Sequence, residues 1–139
     1  MILGIDHVGL RLADPAAAHD AFVALGMGRT DSGSAEAFGV NCEFWGFSGE
    51  APFVELVAPA VPDSAVSGPL EREGPGLYHI AFTVDDLDIE TRRLRTNGFS
   101  PVRVTPCAGA RKGMTVTFLY LRQPVGLLIE LVHYADPSH

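Results

Sequence analysis

Apolar and polar residues follow the same order twice along the chain. The stretch "IDHVGLRLADPAAAHDAFVALGM" opens with an apolar strand, passes through a helix start and continues at helical spacing, and "LYHIAFTVDDLDIETRRLRTNGF" repeats this order 72 residues later. Helix starts are indicated by Asp14 with Pro15 and by Asp85 with Asp86, because Asp is a preferred N-terminal cap. Gly26 and Gly98, also 72 apart, end the two helices. The pattern predicts an internal repeat.

Apolar runs that favour strands follow each helix. The first half has "FGVNCEFWGF" and "PFVELVAP" around the turn "SGE", and the second half has "PVRVT", "MTVTFLYL" and "GLLIELVHY". A segment rich in Pro and Gly links the halves and contains one short helical turn around Val66 to Glu71. We expect an α+β fold in which two tandem βαβββ modules form a curved mixed sheet around a cavity. The modules would span about 1–60 and 76–134, with a connector at 61–75, in a single domain of residues 1–139.

Composition and charge exclude several classes of protein. A chain of 139 residues with 47% hydrophobic residues is long enough for one soluble domain with a substantial core. We find no signal peptide and no apolar run of the roughly 18 residues that cross a bilayer, so we expect a cytoplasmic protein. Cys42 and Cys107 form no metal or disulfide motif and are expected to be free thiols. The formal charge of −7 argues against nucleic acid and anionic membranes as partners.

Four side chains that can bind metal recur at corresponding positions of the two halves. His7 and His79 lie in the first strand of each half, and Glu55 and Glu130 lie in the last, within "FVELV" and "LIELV". A buried carboxylate is costly without a partner, so its occurrence in both halves favours a shared cation over four separate structural roles. The donor set contains no thiolate. We therefore expect cobalt, nickel, manganese, magnesium or zinc, in a site with open positions for substrate.

Glu43 is a further candidate carboxylate. If "SGE" forms a three-residue loop centred on Gly49, paired positions in the hairpin sum to 98, and Glu43 faces Glu55 across the two strands. A slip of the register by one residue would turn Glu43 outward instead.

The repeated halves with their two His and two Glu residues resemble the vicinal oxygen chelate superfamily. This superfamily includes glyoxalase I, methylmalonyl-CoA epimerases, extradiol dioxygenases and antibiotic-resistance proteins. Three stretches are most similar to the epimerases: "IDHVGL", "PDSAVSGPLEREGPGLYHIAFTVDDL" and "TFLYLRQPVGLLIEL". The resemblance implies a homodimer, an acyl-CoA thioester as substrate, and four metal ligands, which are His7, Glu55, His79 and Glu130. The chain departs from the epimerases at Tyr78, where they commonly have a second His, and at Tyr120-Leu121-Arg122, where they have His-Pro-Lys.

The resemblance also implies a reaction. One carboxylate removes the α-proton of the substrate, the metal stabilises the enolate, and a second carboxylate returns a proton to the opposite face. Glu130 matches one carboxylate, whereas the usual position of the other is occupied by Cys42, one residue before Glu43. Glu43 would take this role only if a one-residue bulge turned it inward. Arg111 and Lys112 are candidates for binding a phosphate or carboxylate of the substrate.

We therefore expect a metal-dependent isomerase that epimerises methylmalonyl-CoA or a related acyl-CoA. Glyoxalase I (lactoylglutathione lyase), with similar ligands, is the first alternative. An extradiol dioxygenase needs iron held by two His and one Glu, and a fourth protein ligand would crowd its open face. A metal-free antibiotic-binding protein of the same fold is the alternative from a different class.

Overall fold

The computed structural model describes residues 1–103 and 105–135. Within these ranges the chain forms one nine-stranded sheet with three α-helices and two short 3₁₀-helices. The strands are β1 (Ile2–Arg11), β2 (Gly28–Ala35), β3 (Val40–Gly46), β4 (Phe53–Pro59), β5 (Gly76–Val84), β6 (Phe99–Pro101), β7 (Cys107–Ala108), β8 (Met114–Leu121) and β9 (Leu127–Tyr134). The helices are α1 (His19–Ala24), α2 (Ser67–Glu73) and α3 (Leu87–Arg95), with 3₁₀ segments at Pro15–Ala18 and Glu36–Phe38.

The strand order of the sheet shows the internal repeat. The order is β2-β3-β4-β1-β5-β9-β8-β6, and β7 also pairs with β8. Strands β1 and β5 pair antiparallel in the middle, and each pairs in parallel with the last strand of its own half, β4 or β9. The two halves are thus arranged alike on either side of the β1–β5 pair. This confirms the predicted α+β fold with a curved mixed sheet.

Three local features differ from the sequence prediction. Strand β2, "GRTDSGSA", carries too few apolar residues to be recognised, because it lies at the edge of the sheet and exposes most of its side chains. The first helix is short and begins as the 3₁₀ segment. In place of one strand over "PVRVT" the structure has β6 and β7, and Val104 of that run lies outside the described residues.

The two faces of the sheet have different roles. One face, here called the outer face, carries the helices: Phe22 of α1 packs with Trp45 and Leu56, and Leu94 of α3 packs with Leu119 and Leu131. The other face, here called the inner face, carries a separate apolar cluster that includes Val40, Phe44, Val57, Val116 and Val132. Polar side chains in the centre of this inner face are therefore enclosed by apolar neighbours. No helix among the described residues is long and apolar enough to cross a bilayer.

Candidate metal centre

The structure brings the four predicted ligand residues together on the inner face. His7 lies on β1, Glu55 on β4, His79 on β5 and Glu130 on β9, and one ligand atom from each lies within 4.8 Å of those of the others. All four side chains are buried. We call these four residues the His/Glu cluster.

Strand register explains why the cluster forms. Gly9 of β1 lies opposite both Glu55 and His79, and Ala81 of β5 lies opposite both His7 and Glu130. Directly paired residues point to the same face of a sheet, so the two small residues leave room between the four larger side chains. The cluster is therefore symmetric about the β1–β5 pair.

The distances within the cluster fit a divalent cation. The Nε2 atoms of His7 and His79 are 3.0 Å apart, and the Oε1 atoms of Glu55 and Glu130 lie 2.9–3.2 Å from these two nitrogens. Ligands about 2.1 Å from one ion and at right angles to each other are separated by about 3 Å. The same Oε1 atoms and Nδ1 of His79 are buried without a hydrogen-bond partner among the described residues. Buried polar atoms are almost always paired, so an ion at the centre of the cluster would pair the two Oε1 atoms.

The ionisation of the cluster also favours a cation. Burial lowers the pKa of His7, but the carboxylates of Glu55, Asp6 and Glu130 outweigh burial and raise it well above its usual value. Burial also lowers the pKa of His79, but the carboxylates of Glu130 and Glu55 outweigh burial and raise it. Burial opposes ionisation of Glu55, yet the two imidazoles lower its pKa. The carboxylates thus attract positive charge, and a metal ion could supply it in place of protons on the imidazoles.

Asp6 orients the first imidazole, a role that the sequence analysis missed. The pairing of β1 with β5 is irregular between Ile5 and His7, where one residue of β5 faces two of β1, so Asp6 is bulged and its side chain is buried beside His7. Its Oδ2 lies 2.6 Å from Nδ1 of His7. Asp6 also accepts hydrogen bonds from Tyr134 at 2.9 and 3.0 Å and from Thr83 at 3.3 Å. A carboxylate at Nδ1 keeps the proton there and leaves Nε2 free to bind metal.

Gly9 provides the space for the second imidazole. A Cβ atom at position 9 would lie 2.4 Å from Cε1 and 2.7 Å from Nε2 of His79, far inside van der Waals contact. Gly9 is therefore required for the present position of the His79 ring. The only sequence signal was a glycine inside an apolar strand, which often marks a close approach.

The predicted register of the β3–β4 hairpin is wrong by one residue. Phe44, not Glu43, lies opposite Glu55, so paired positions sum to 99. The loop spans residues 47–52, with Ser48 and Gly49 both at positive φ, and is longer than the three residues that the prediction assumed. Glu43 lies opposite Leu56 on the outer face. There it contacts Nε2 of His19 at 2.8 Å and accepts hydrogen bonds from Trp45 at 3.0 Å and Arg29 at 3.4 Å.

Cys42 takes the inward position beside Glu43. It is buried at 4% exposure on the inner face, opposite Val57, and the β3–β4 pairing continues from Val40 to Trp45 without a bulge. Burial and the Glu55 carboxylate raise the pKa of the thiol well above its usual range, so it stays protonated. The bulge that would have turned Glu43 inward is not formed in this hairpin.

Arg111 and Lys112 lie outside the cavity described below. The Nε atom of Arg111 donates to Asp31 at 3.2 Å, its Nη1 donates to the Tyr134 hydroxyl at 3.3 Å, and its guanidinium lies 4.9 Å from the centre of the Phe53 ring. These contacts connect Arg111 to Asp6 through Tyr134. Lys112 is exposed in the turn before β8. A role of either residue in substrate binding stays a prediction.

A largely apolar cavity opens above the His/Glu cluster. It encloses about 660 Å³ of empty space, including its open mouth, and has Glu55, His79 and Glu130 at its floor. Its walls include Val40 and Cys42 of β3 and Val116 and Phe118 of β8. Arg103 is the only arginine or lysine among the described residues that line the cavity. Its guanidinium donates a 2.6 Å hydrogen bond to the carbonyl of Ala37, which holds the side chain in place. Such a cavity suits a small, largely apolar ligand with one polar end.

Comparison with known proteins agrees with this fold. The family model described as the glyoxalase/bleomycin resistance protein/dioxygenase superfamily matches residues 6–118. The chain belongs to this superfamily. An uncharacterized relative, YqjC of Bacillus subtilis, is 29% identical over 136 residues, which cover 97% of this chain and 95% of YqjC.

Solved structures of epimerases in this superfamily are similar to the chain. Methylmalonyl-CoA epimerase from Mycobacterium tuberculosis has 31% identity and a TM-score of 0.85, with 97% of this chain and 90% of that chain covered. A variant of the Streptomyces coelicolor methylmalonyl-CoA epimerase, in complex with 2-nitronate-propionyl-CoA, has 30% identity and a TM-score of 0.86, with 98% and 100% covered. A hypothetical protein of Bacillus halodurans shares the fold, with 22% identity, a TM-score of 0.85 and 97% and 96% covered.

Proposed function

We propose that this protein is a metal-dependent isomerase that removes the α-proton of an acyl-CoA thioester, with methylmalonyl-CoA or a related acyl-CoA as its substrate. The observation that carries the proposal is the convergence of two imidazole nitrogens and two carboxylate oxygens, 2.9–3.2 Å apart, on the floor of an apolar cavity. The similarity to methylmalonyl-CoA epimerases supports the choice of substrate. A divalent ion held by the cluster would polarise the thioester carbonyl and stabilise the enolate.

Residues of the chain supply a general base, apolar walls and a cation for the substrate. Glu130 lies at the cavity floor and accepts the α-proton as the general base. Val116, Phe118 and Val40 exclude water from the acyl group. Arg103 at the cavity lining is suited to bind an anionic group of the substrate, a role for which Arg111 and Lys112 are the other candidates. The complete donor set argues against a metal-free binding protein of the same fold.

Deuterium exchange tests this proposal. Protein loaded with cobalt or nickel is incubated with methylmalonyl-CoA in heavy water, and deuterium at the α-carbon is followed by mass spectrometry. We expect exchange well above the rate in buffer, and loss of exchange in Glu130→Gln and on chelation of the metal. A loaded protein that binds metal but gives no exchange contradicts the proposal.

A further inference from the structure

The two histidines of the cluster differ at their Nδ1 atoms. Nδ1 of His7 lies 2.6 Å from the buried Asp6 carboxylate, whereas Nδ1 of His79 has no hydrogen-bond partner among the described residues. The residue that corresponds to Asp6 in the second module is Tyr78, and its hydroxyl donates to the Ala65 carbonyl at 3.4 Å. Within the described ranges, the fold therefore gives a carboxylate partner to one imidazole of the pair.

A chain of contacts connects Asp6 to Arg111 of the second module. The Tyr134 hydroxyl donates to Asp6 at 2.9 Å and accepts from Nη1 of Arg111 at 3.3 Å. Burial and the Asp6 carboxylate raise the pKa of Tyr134 well above its usual value, so the hydroxyl keeps the proton that it donates. Nε of Arg111 donates to Asp31 on the edge strand β2 at 3.2 Å. The guanidinium therefore reaches from this edge strand to the hydroxyl that holds Asp6.

Three aromatic rings surround the same guanidinium. Its Cζ atom lies 4.9 Å from the centre of the Phe53 ring, 5.3 Å from that of Phe44 and 5.6 Å from that of Tyr134. A cation at such distances is attracted to the ring faces. Phe44 in turn packs edge-on against the His7 ring, with ring centres 5.4 Å apart. Arg111 is thus connected to His7 by a second path that does not involve the Tyr134 hydroxyl.

A cation at position 111 also balances the charges around the site. Asp6 is buried on one side of the His7 ring, and the two buried glutamates of the His/Glu cluster lie on the other side. A divalent ion would supply two positive charges against these three carboxylates, and Arg111 supplies the third. Asp31 alters this balance little, because its side chain is 42% exposed and solvent screens its charge.

From these contacts we infer that Arg111 is a positioning residue of the metal centre. It holds Tyr134 in place and thereby keeps the Asp6 carboxylate at Nδ1 of His7, so that Nε2 is directed at the ion. Its contact with Phe44 holds the same imidazole from the side. This role requires no contact between Arg111 and the substrate. The inference rests on the metal ion of the proposed function.

Cobalt affinity without substrate is the first test. Purified protein is freed of metal with a chelator and titrated with cobalt in a calorimeter. We expect Arg111→Met to bind cobalt about 3- to 10-fold more weakly than the wild type, and Arg122→Met, which removes an exposed arginine after β8, to bind it as tightly. Loss of a positive charge alone would strengthen the attraction of a cation. Unchanged or tighter binding by Arg111→Met therefore overturns the inference alone, whereas a wild type that binds no cobalt overturns the proposed function as well.

A double-mutant cycle with Tyr134→Phe separates positioning from a general loss of stability. Because Arg111 acts in part through the Tyr134 hydroxyl, the double variant is expected to lose less cobalt affinity than the product of the two single losses. Thermal unfolding of the metal-free variants shows that each one folds. Losses that multiply in full are those of two independent structural contributions, and they overturn the inference.

Gly33 of β2 allows a test that leaves the Arg111 side chain intact. A Cβ atom at position 33 would overlap the Ala110 carbonyl, so Gly33→Ala displaces the turn that carries Arg111. Gly28→Ala is the matched control on the same strand, because no atom lies within 4 Å of a Cβ there. We expect weaker cobalt binding in Gly33→Ala and wild-type binding in Gly28→Ala. Equal affinities of these two variants overturn the inference, and this pair decides if Arg111→Met does not fold.

Discussion

The Nε2 atoms of His7 and His79 lie 3.0 Å apart although 72 positions separate the two residues in the sequence. Each ring is packed edge-on by a phenylalanine of its own module, Phe44 on His7 and Phe118 on His79, with ring centres 5.4 and 5.3 Å apart. Each phenylalanine in turn lies opposite the carboxylate of its module, Glu55 or Glu130. Each module therefore orients one imidazole and one carboxylate, and the β1–β5 pairing joins them into one site.

Gly9 is predicted to be essential for the second imidazole. In Gly9→Ala the new methyl group overlaps the His79 ring, so the ring must move and metal affinity is expected to fall on the order of 10- to 100-fold. Gly4→Ala is the matched control on the same strand, because no atom lies within 4 Å of a Cβ there. Calorimetric titration with cobalt measures both variants. Equal affinities of the two variants would show that His79 does not bind the ion from its present position.

Asp6 is predicted to control the tautomer of His7. In Asp6→Asn the amide group can donate to Nδ1, which favours a proton on Nε2 and blocks the nitrogen that faces the cluster. We expect a loss of metal affinity of roughly 10- to 100-fold. Tyr134→Phe keeps the Asp6 carboxylate and removes the hydroxyl that donates to Asp6 and accepts from Arg111, so it is expected to have a smaller effect. If Asp6→Asn binds cobalt as tightly as the wild type, Asp6 does not set the tautomer.

Removal of the metal is predicted to lower thermal stability. The cluster places two carboxylates against two imidazoles in a buried site, and an ion that binds only the folded state stabilises it by mass action. At a free metal concentration of 100 Kd the gain is about 2.7 kcal/mol, which is roughly 10 °C in Tm for a chain of this length. Differential scanning calorimetry with cobalt and with a chelator measures the shift. A His79→Gln variant that shows the same shift would place the stabilising ion elsewhere.

Because the pattern of residues repeats, the architecture and the set of metal ligands could be predicted from the sequence. A metal-binding residue on one strand carries little information, but the same pattern in both halves identifies corresponding positions, and this is how His7 was linked to His79 and Glu55 to Glu130. The alternation of apolar residues then indicated that the four side chains share one face of the sheet.

Features that change when the strand register shifts by one residue could not be predicted from the sequence. Whether Cys42 or Glu43 points inward depends on the length of the loop before β4, and a change of one residue reverses the faces of the whole strand. The bulge that brings Asp6 beside His7 also follows from the pairing of β1 with β5, which involves residues far apart in sequence.

Glu43 is predicted to stabilise the fold and not to serve the metal site. Burial raises its pKa, but hydrogen bonds from Trp45 and His19 outweigh burial and lower the pKa below its usual value. Glu43→Gln weakens these contacts on the outer face and is expected to cost about 1 kcal/mol of unfolding free energy at neutral pH, with unchanged cobalt affinity.

Because folding lowers the pKa of Glu43, the loss of unfolding free energy in Glu43→Gln depends on pH. A carboxylate whose pKa is lower in the folded state contributes stability above its unfolded pKa of about 4.3, and this contribution disappears as pH falls through the folded value. The difference in unfolding free energy between wild type and Glu43→Gln should therefore decrease in acid, as the pH falls below about 4.3. Urea titrations at pH 3.5, about 4.5 and about 7 measure it. A variant that keeps wild-type stability but loses cobalt binding would instead place Glu43 at the metal site.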